Sequence, residues 1–148
     1  MGDKSPTVIT GVIGEEDPHI VATKLITFAL KKEGYQVVSL GAKCSAEEII
    51  KASVETAASA ILLTSVAGHA ELNCRGFRDM CEEAGLHDIL LYIGGNLVPT
   101  GDQKWSEVEK LFKNLGFNRV YPPATPISAG IEDLRKDLQN KTRMAARS

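Results

Sequence analysis

The chain has 148 residues, enough for one domain of ordinary size with a hydrophobic core. Its 43% hydrophobic and 24% charged residues are typical of a globular protein, and its formal net charge of -2 argues against a surface that binds polyanions. With 5% aromatic residues, it also lacks the stacking platform used to bind single-stranded nucleic acid. We therefore expect no nucleic-acid partner.

The cysteines and the first residues predict a cytoplasmic protein. None of the three cysteines belongs to a C-x-x-C pair, and we interpret them as reduced thiols. The first residues lack the apolar core of a signal peptide, and the longest apolar runs are too short to span a membrane. We expect neither a signal peptide nor a membrane-spanning helix.

Strands and helices are predicted to alternate along the chain. The strands are apolar, often β-branched runs that end in glycine, proline or hydroxylated residues, and they cover 7–13, 35–40, 59–65, 89–93 and 118–121. The helices show a period of 3.6 residues and cover 19–33, 45–57, 70–83, 104–114 and 127–138.

Local patterns add detail to three of the helices. The face of the first helix predicted to be buried carries Val21, Leu25, Phe28 and Ala29. Ser45 and Glu48 form a capping box that opens the second helix. The third helix carries charged residues at i, i+4 spacing, Arg78 among them, which we interpret as a solvent-exposed face.

This alternation predicts an α/β, doubly wound domain with a five-stranded parallel sheet. The Rossmann-like or flavodoxin-like strand order 2-1-3-4-5 is the common solution for this number of strands. We expect a single domain over residues 1–138, followed by a polar, frayed tail over 139–148. Ligands of such folds bind beyond the carboxyl ends of the strands, so the candidate site lies in the loops that follow them.

Several common chemistries of this fold are missing from those loops. Gly11-x-x-Gly14 lacks the third glycine of a dinucleotide fingerprint, and no P-loop sequence occurs. No serine has the G-x-S-x-G context of a hydrolase nucleophile, and Tyr121 alone offers a ring to stack on a flavin. We therefore expect no nucleotide, no serine nucleophile and no FMN.

The segment Asp17-Pro18-His19 after the first strand has two interpretations. His19 is a candidate metal ligand, because Asp17 could orient its second ring nitrogen and raise its basicity. Alternatively, Asp17 caps the first helix and His19 is exposed in its first turn. The spacing alone favours the helix cap, without excluding the metal ligand.

Three motifs resemble those of base-off, His-on cobalamin-binding domains. That family has the motifs D-x-H-x-x-G, S-x-L and G-G, and the matching residues are Asp17-x-His19, Thr64-Ser65-Val66 and Gly94-Gly95. Within the family the chain is most similar to the small (S or sigma) component of glutamate mutase, also called methylaspartate mutase. The similarity runs from about Thr7 to Leu138, and its more specific parts are 11–14, 71–76, 81–86, 94–96 and 116–123.

The resemblance implies adenosylcobalamin as the cofactor. His19 would replace dimethylbenzimidazole as the lower ligand of cobalt, with Asp17 bonded to its other nitrogen. The displaced nucleotide tail would insert between the sheet and the helices that flank strands one and three, where Thr64 would bond the benzimidazole. The cofactor-binding residues implied in this way are Asp17, His19, Ile20, Ala22, Thr64, Ser65, Val66, Gly68, Gly94, Gly95, Asn96, Tyr121 and Pro122.

The resemblance also implies an isomerase component that interconverts L-glutamate and threo-3-methylaspartate. It would be inactive without a larger TIM-barrel catalytic subunit, with which it would form a heterotetramer. The alternatives are the cobalamin subunit of an acyl-CoA mutase, a corrinoid methyl-transfer protein and a non-enzymatic cobalamin carrier. Ala22 stands where the family motif has glycine. A further alternative is therefore a domain that has lost cofactor binding.

Overall fold

The sheet forms from the apolar runs of the sequence. The computed structural model describes residues 6–12, 21–40, 45–65, 74–95, 105–122 and 125–147, with the side chains of 21–23, 65, 95 and 142–147 excepted. Its strands are β1 (Thr7–Val12), β2 (Gln36–Ser39), β3 (Ala60–Ser65), β4 (Leu90–Gly95) and β5 (Arg119–Tyr121). They pair in parallel in the order β2-β1-β3-β4-β5, which confirms the predicted fold class and strand order.

Helices cover both faces of this sheet. They are α1 (Val21–Lys32), α2 (Ala46–Thr56), α3 (Phe77–Glu83), α4 (Trp105–Asn114) and α5 (Ile127–Arg147). One core cluster joins α2, α3 and α4 to the sheet, for example through Phe77 and Phe112. The other joins α1 and α5 through Leu30 and Leu134. Because both faces are covered, the central strands β1, β3 and β4 are mostly apolar on both sides rather than alternating.

The predicted helix ends are confirmed at several positions. The Ser45 hydroxyl accepts from the Glu48 N–H at 3.1 Å, and the Glu48 carboxylate accepts from the Ser45 N–H at 3.1 Å. This capping box satisfies backbone donors that the first turn of α2 leaves unpaired. Gly34, with φ of 97°, follows α1 in the left-handed region, where a glycine is the least strained residue.

The face of α1 that packs on the sheet differs from the predicted one. Leu25 is 52% exposed and Phe28 is 63% exposed, whereas Ile26 and Leu30 pack in the core. The sequence of this helix contains two apolar sets, and packing against the sheet selects the one that includes Ile26 and Leu30. The Lys32 ammonium lies 5.7 Å from the centre of the Phe28 ring, which gives that exposed ring a cation–π contact.

The third helix is shorter than predicted. Gly76 has φ of 76°, outside the right-handed helical region, and α3 begins after it at Phe77. The prediction of one continuous helix over 70–83 is therefore wrong at Gly76, and residues 70–73 lie outside the described ranges. Cys74 and Cys81 flank the break, and both are free and buried in the core. Burial raises their pKa values to about 12 and about 11 respectively, so both stay thiols.

The sequence indicated that Arg78 belongs to a solvated face of α3. The structure shows instead that its side chain bonds to other parts of the fold. Its guanidinium donates to the Gly116 carbonyl at 2.8 and 3.0 Å and to the Ile89 carbonyl at 3.0 Å. It also donates to Asn118 Oδ1, which in turn accepts from the Leu91 N–H, both at 2.8 Å. Arg78 thus connects α3 to the loops that precede β4 and β5.

The last helix is longer than predicted. We expected it to end at Leu138, whereas α5 continues to Arg147. The tail contains Gln, Lys, Arg and Ala, which favour helix without needing an apolar face, and the prediction relied on apolar periodicity. Although α5 is long, neither it nor another helix in the described ranges is apolar enough over a sufficient length to cross a membrane.

Candidate functional site

Four residues form a row across the sheet at the carboxyl ends of its strands. Val12 of β1 is in register with Thr64 of β3. Gly94 of β4 is in register with Thr64 on one side and with Tyr121 of β5 on the other. We call these four residues the carboxyl-edge row. Since Tyr121 packs in the core cluster of α1 and α5, the row faces those two helices, at the edge where ligands of doubly wound folds bind.

Gly94 at the centre of this row allows β5 to pack closely. A Cβ at position 94 would lie 3.3 Å from the Cβ of Tyr121 and 3.6 Å from its carbonyl oxygen. The packing of Tyr121 against β4 is therefore one reason for a glycine at this position. Thr64, the other neighbour of Gly94, is small and half-buried. Because these two neighbours are small, side chains project little above the backbone at the centre of the row. A flat group can therefore approach the backbone there.

A second row on the same face lies one step further from the carboxyl edge. It contains Thr10, Leu62, Tyr92 and Arg119, which are in register across β1, β3, β4 and β5. The Thr10 hydroxyl lies 3.0 Å from the hydroxyl of Thr27 on α1. This hydrogen bond fixes α1 against β1 and satisfies a polar group that is 1% exposed.

Two tyrosine–aspartate hydrogen bonds attach α5 to β4 and β5 on this same face of the sheet. The Tyr121 hydroxyl donates to Asp133 Oδ2 at 2.8 Å, and the Tyr92 hydroxyl donates to Asp137 Oδ2. Arg119 donates to both carboxylate oxygens of Asp137, at 2.8 and 3.0 Å, and lies 3.5 Å from Asp133. One guanidinium therefore serves two carboxylates, which lie one helical turn apart on α5.

The two tyrosine hydroxyls of this network have raised pKa values. Burial raises the pKa of Tyr121 well above its ordinary value, and the hydrogen bond to Asp133 raises it further. Burial and then the hydrogen bond to Asp137 do the same for the pKa of Tyr92. Both phenols are therefore neutral donors at physiological pH. Neither aspartate was predicted to belong to the site, although their i, i+4 spacing on a half-apolar helix places them on one face of α5.

The structure brings some of the predicted site residues together. Thr64, Gly94 and Tyr121 share the carboxyl-edge row, and exposed Pro122 follows Tyr121 directly. Backbone positions alone are described for three more: Ala22 in the first turn of α1, and Ser65 and Gly95 at the ends of β3 and β4. The remaining predicted residues lie outside the described ranges, namely Asp17, His19, Ile20, Val66, Gly68 and Asn96.

Solved structures with this fold fall into more than one group. A cobalamin-binding protein from Desulfitobacterium hafniense DCB-2 has a TM-score of 0.72 at 19% identity, over 91% of this chain and 60% of that chain. The monomethylamine corrinoid protein of Methanosarcina barkeri has a TM-score of 0.64 at 20% identity, over 87% and 57%. A response regulator from Thermotoga maritima has a TM-score of 0.58 at 17% identity, over 91% and 98%. At these identities the likeness shows the fold alone.

Fold and strand order together define the class of protein, a flavodoxin-like α/β domain, whose fold occurs in cobalamin-binding proteins and in a response regulator. No family model matches the sequence. The glutamate mutase sigma subunit of Clostridium cochlearium is 50% identical over 132 residues, which are 89% of this chain and 95% of the relative. The sigma subunit from Escherichia coli O157:H7 is 38% identical over 138 residues, or 93% and 91%. The chain belongs to the glutamate mutase sigma subunit family.

Proposed function

We propose that this chain is the cobalamin-carrying subunit of an adenosylcobalamin-dependent glutamate mutase, which interconverts L-glutamate and threo-3-methylaspartate. The observation that carries the proposal is the family relationship, at 50% identity over 95% of the length of a sigma subunit. The fold supports it, because the same parallel sheet occurs in a cobalamin-binding protein and in a corrinoid protein.

The described residues at the carboxyl edge fit the nucleotide tail of cobalamin. Benzimidazole is flat and largely apolar, so it suits a slot with a low centre and aliphatic or aromatic sides. In the carboxyl-edge row, Gly94 supplies the low centre, and Val12 and Tyr121 supply the apolar and aromatic ends. Thr64 supplies a hydroxyl beside the glycine, as a ring nitrogen withdrawn from water requires.

His19 and Asp17 have the central roles in this proposal. His19 would bind the cobalt through one ring nitrogen, and Asp17 would accept a hydrogen bond from the other, which would fix the tautomer and raise the basicity of the imidazole. When bound, adenosylcobalamin supplies radical chemistry through homolysis of its cobalt–carbon bond. The chain itself would supply the imidazole that binds cobalt and the slot that receives the tail.

A sigma subunit implies a partner subunit that carries the catalytic site. We propose that this partner is a TIM barrel that holds the substrate, and that the two subunits form a heterotetramer. The corrin would then lie between the carboxyl edge of the sheet and the barrel. Without the partner, the chain binds the cofactor but does not turn over glutamate.

The first test is the spectrum of the purified chain mixed with adenosylcobalamin. We expect a base-off spectrum in which a protein histidine is the lower ligand. In the cob(II)alamin state, labelling the histidines with ¹⁵N should change the nitrogen hyperfine splitting of the electron paramagnetic resonance signal. His19→Ala should abolish this signature. His87→Ala is the matched control, because His87 is exposed and lies 3.6 Å from Glu82 on α3, remote from the carboxyl edge.

A second test identifies the substrate of the assembled enzyme. The chain is combined with the large component of glutamate mutase, and the rearrangement of glutamate is compared with that of acyl-CoA substrates in the presence of an acyl-CoA mutase large component. Turnover of glutamate alone supports the proposal, and turnover with the acyl-CoA partner alone would contradict it. Failure of the chain to bind adenosylcobalamin would contradict the proposed function as a whole.

A further inference from the structure

The two tyrosine–aspartate hydrogen bonds of α5 stand at different distances from the carboxyl edge. Tyr121 belongs to the carboxyl-edge row itself. Tyr92 lies two residues before Gly94 on β4, so its bond to Asp137 stands about 7 Å further from the edge. The same chemical contact therefore occurs once beside the proposed slot and once behind it.

The Tyr121 side chain packs between the sheet and α5. The Tyr121 Cβ packs over Gly94, and a Cβ added at position 94 would lie 3.3 Å from it. At the other end of the ring, Cζ would lie 3.9 Å from a Cβ at Gly130 of α5, in ordinary van der Waals contact. The ring also packs on Tyr92, with centroids 6.0 Å apart and planes tilted by 59°. Glycines at both ends let the ring fill the space between β4 and α5.

The ring needs a fixed direction to serve as a wall. The packing contacts hold its Cβ end, while the hydroxyl end is held by Asp133 at 2.8 Å. Asp133 is itself held by Arg119, at 3.5 Å. Because Arg119 is also bonded to Asp137 through two N–H groups, the orientation of Asp133 is braced from the sheet.

We propose that Asp133 is a positioning residue for corrinoid binding, which holds the Tyr121 ring as the end wall of the slot that receives the nucleotide tail. This inference rests on the proposed function. Asp133 acts through Tyr121 and does not itself reach the cofactor. It would govern affinity for the tail rather than for the corrin ring, because Tyr121 ends β5 beside the proposed slot, whereas His19, the residue proposed to bind cobalt, follows β1 in the sequence.

The test compares two corrinoids on matched variants. Adenosylcobalamin carries the nucleotide tail, and adenosylcobinamide lacks it. Tyr121→Phe and Asp133→Ala each remove the hydrogen bond, and we expect each to weaken adenosylcobalamin binding by roughly 3- to 10-fold while adenosylcobinamide binding changes less than about 2-fold. Asp133→Asn keeps an acceptor oxygen and should restore most of the affinity for adenosylcobalamin.

Tyr92→Phe is the matched control for Tyr121→Phe. It removes the same kind of hydrogen bond between the sheet and α5, but from β4 instead of β5 and behind the slot. Free energies of unfolding in urea, measured for every variant, should fall by similar amounts for Tyr92→Phe and Tyr121→Phe. Only Tyr121→Phe should separate the two corrinoids.

Two results would overturn the inference. Equal losses of adenosylcobalamin affinity in Tyr92→Phe and Tyr121→Phe would show that the bonds act through the stability of the fold. Equal losses for cobalamin and cobinamide would show that the wall does not contact the tail. In both cases the wild-type chain still binds adenosylcobalamin, whereas a wild-type chain that binds none would contradict the proposed function as well.

Discussion

Gly116 is required at its position by the side chain that packs over it. Its φ of 110° lies in the left-handed region, and an added Cβ would lie 2.4 Å from the Cβ and 2.8 Å from the Cγ of Arg78. Arg78 cannot move aside freely, because its guanidinium is bonded to the Gly116 carbonyl, to the Ile89 carbonyl and to Asn118. A methyl group at 116 therefore displaces the contacts that join α3 to the loops before β4 and β5.

Gly116→Ala should lower the free energy of unfolding far more than Gly85→Ala. Both glycines have a positive φ, so both substitutions carry the left-handed cost of about 1–2 kcal/mol. Nothing lies within 4 Å of a Cβ at Gly85, whereas Gly116→Ala adds an overpacking cost of roughly 1–3 kcal/mol. Urea unfolding of both variants measures the difference. Equal losses would mean that Arg78 repacks without cost.

Among the elements, those specified by local chemistry were predictable from the sequence. The Ser45–Glu48 capping box and the turn glycines Gly34 and Gly85 act within a few residues, so pattern alone located them. The strand order is not specified by the pattern itself, but the order found is the common one for this number of alternating strands and helices. The positions of Thr64 and Gly94 in one row followed as well, because carboxyl ends of parallel strands meet at one edge.

Features that depend on distant contacts were not predictable. Gly76 interrupts a helical pattern that looked continuous, and Arg78 bonds to carbonyls distant in the chain rather than to its own helix. The choice between the two apolar sets of α1 depends on the sheet surface beneath it. The same holds for the bonds of Asp133 and Asp137, since their partners Tyr121 and Tyr92 are placed by the sheet register. Sequence spacing can place the two aspartates on one face of α5, but it does not identify their partners.

The attachment of α5 to the sheet should depend on pH. Hydrogen bonds from Arg119, and then from Tyr92, hold the pKa of Asp137 below its ordinary value. A carboxylate with a depressed pKa in the folded state stabilises the fold above the pKa of the unfolded chain, near 3.9, and loses this contribution as the pH falls through the folded value. The fold should therefore lose stability as the pH drops below about 4.

Asp137→Asn tests this origin of the acid sensitivity. Urea midpoints measured from pH 6 to pH 2.5 should fall less steeply in the variant than in the wild type, although the variant is less stable at pH 6. Glu109→Gln is the control, because it removes an exposed i, i+4 ion pair with Lys113, at 3.5 Å, of the kind that contributes little. Identical profiles for wild type and Asp137→Asn would place the acid sensitivity elsewhere.

At the scale of the whole molecule, the two faces of the sheet have different tasks. The face covered by α2, α3 and α4 holds most of the aromatic core, including Phe77 stacked on Phe117. The face covered by α1 and α5 is held by polar contacts as well, through Thr10 with Thr27 and through the tyrosine–aspartate bonds. Both faces therefore contribute to the stability of the fold, and the second also contains the proposed slot.

Adenosylcobalamin should therefore stabilise the whole chain by mass action. A ligand that binds the folded state alone adds about 2.7 kcal/mol at 100 times its dissociation constant, and each kcal/mol raises the Tm of a domain of this size by about 2–4 °C. Thermal unfolding followed by far-ultraviolet circular dichroism, in the dark, should then show a Tm increase of roughly 5–11 °C. His19→Ala should lose most of this increase at the same ligand concentration, because the variant lacks the proposed axial ligand, while His87→Ala should keep it. A Tm increase in His19→Ala equal to that of the wild type would show that the affinity comes from the slot alone, and would remove His19 from the binding site.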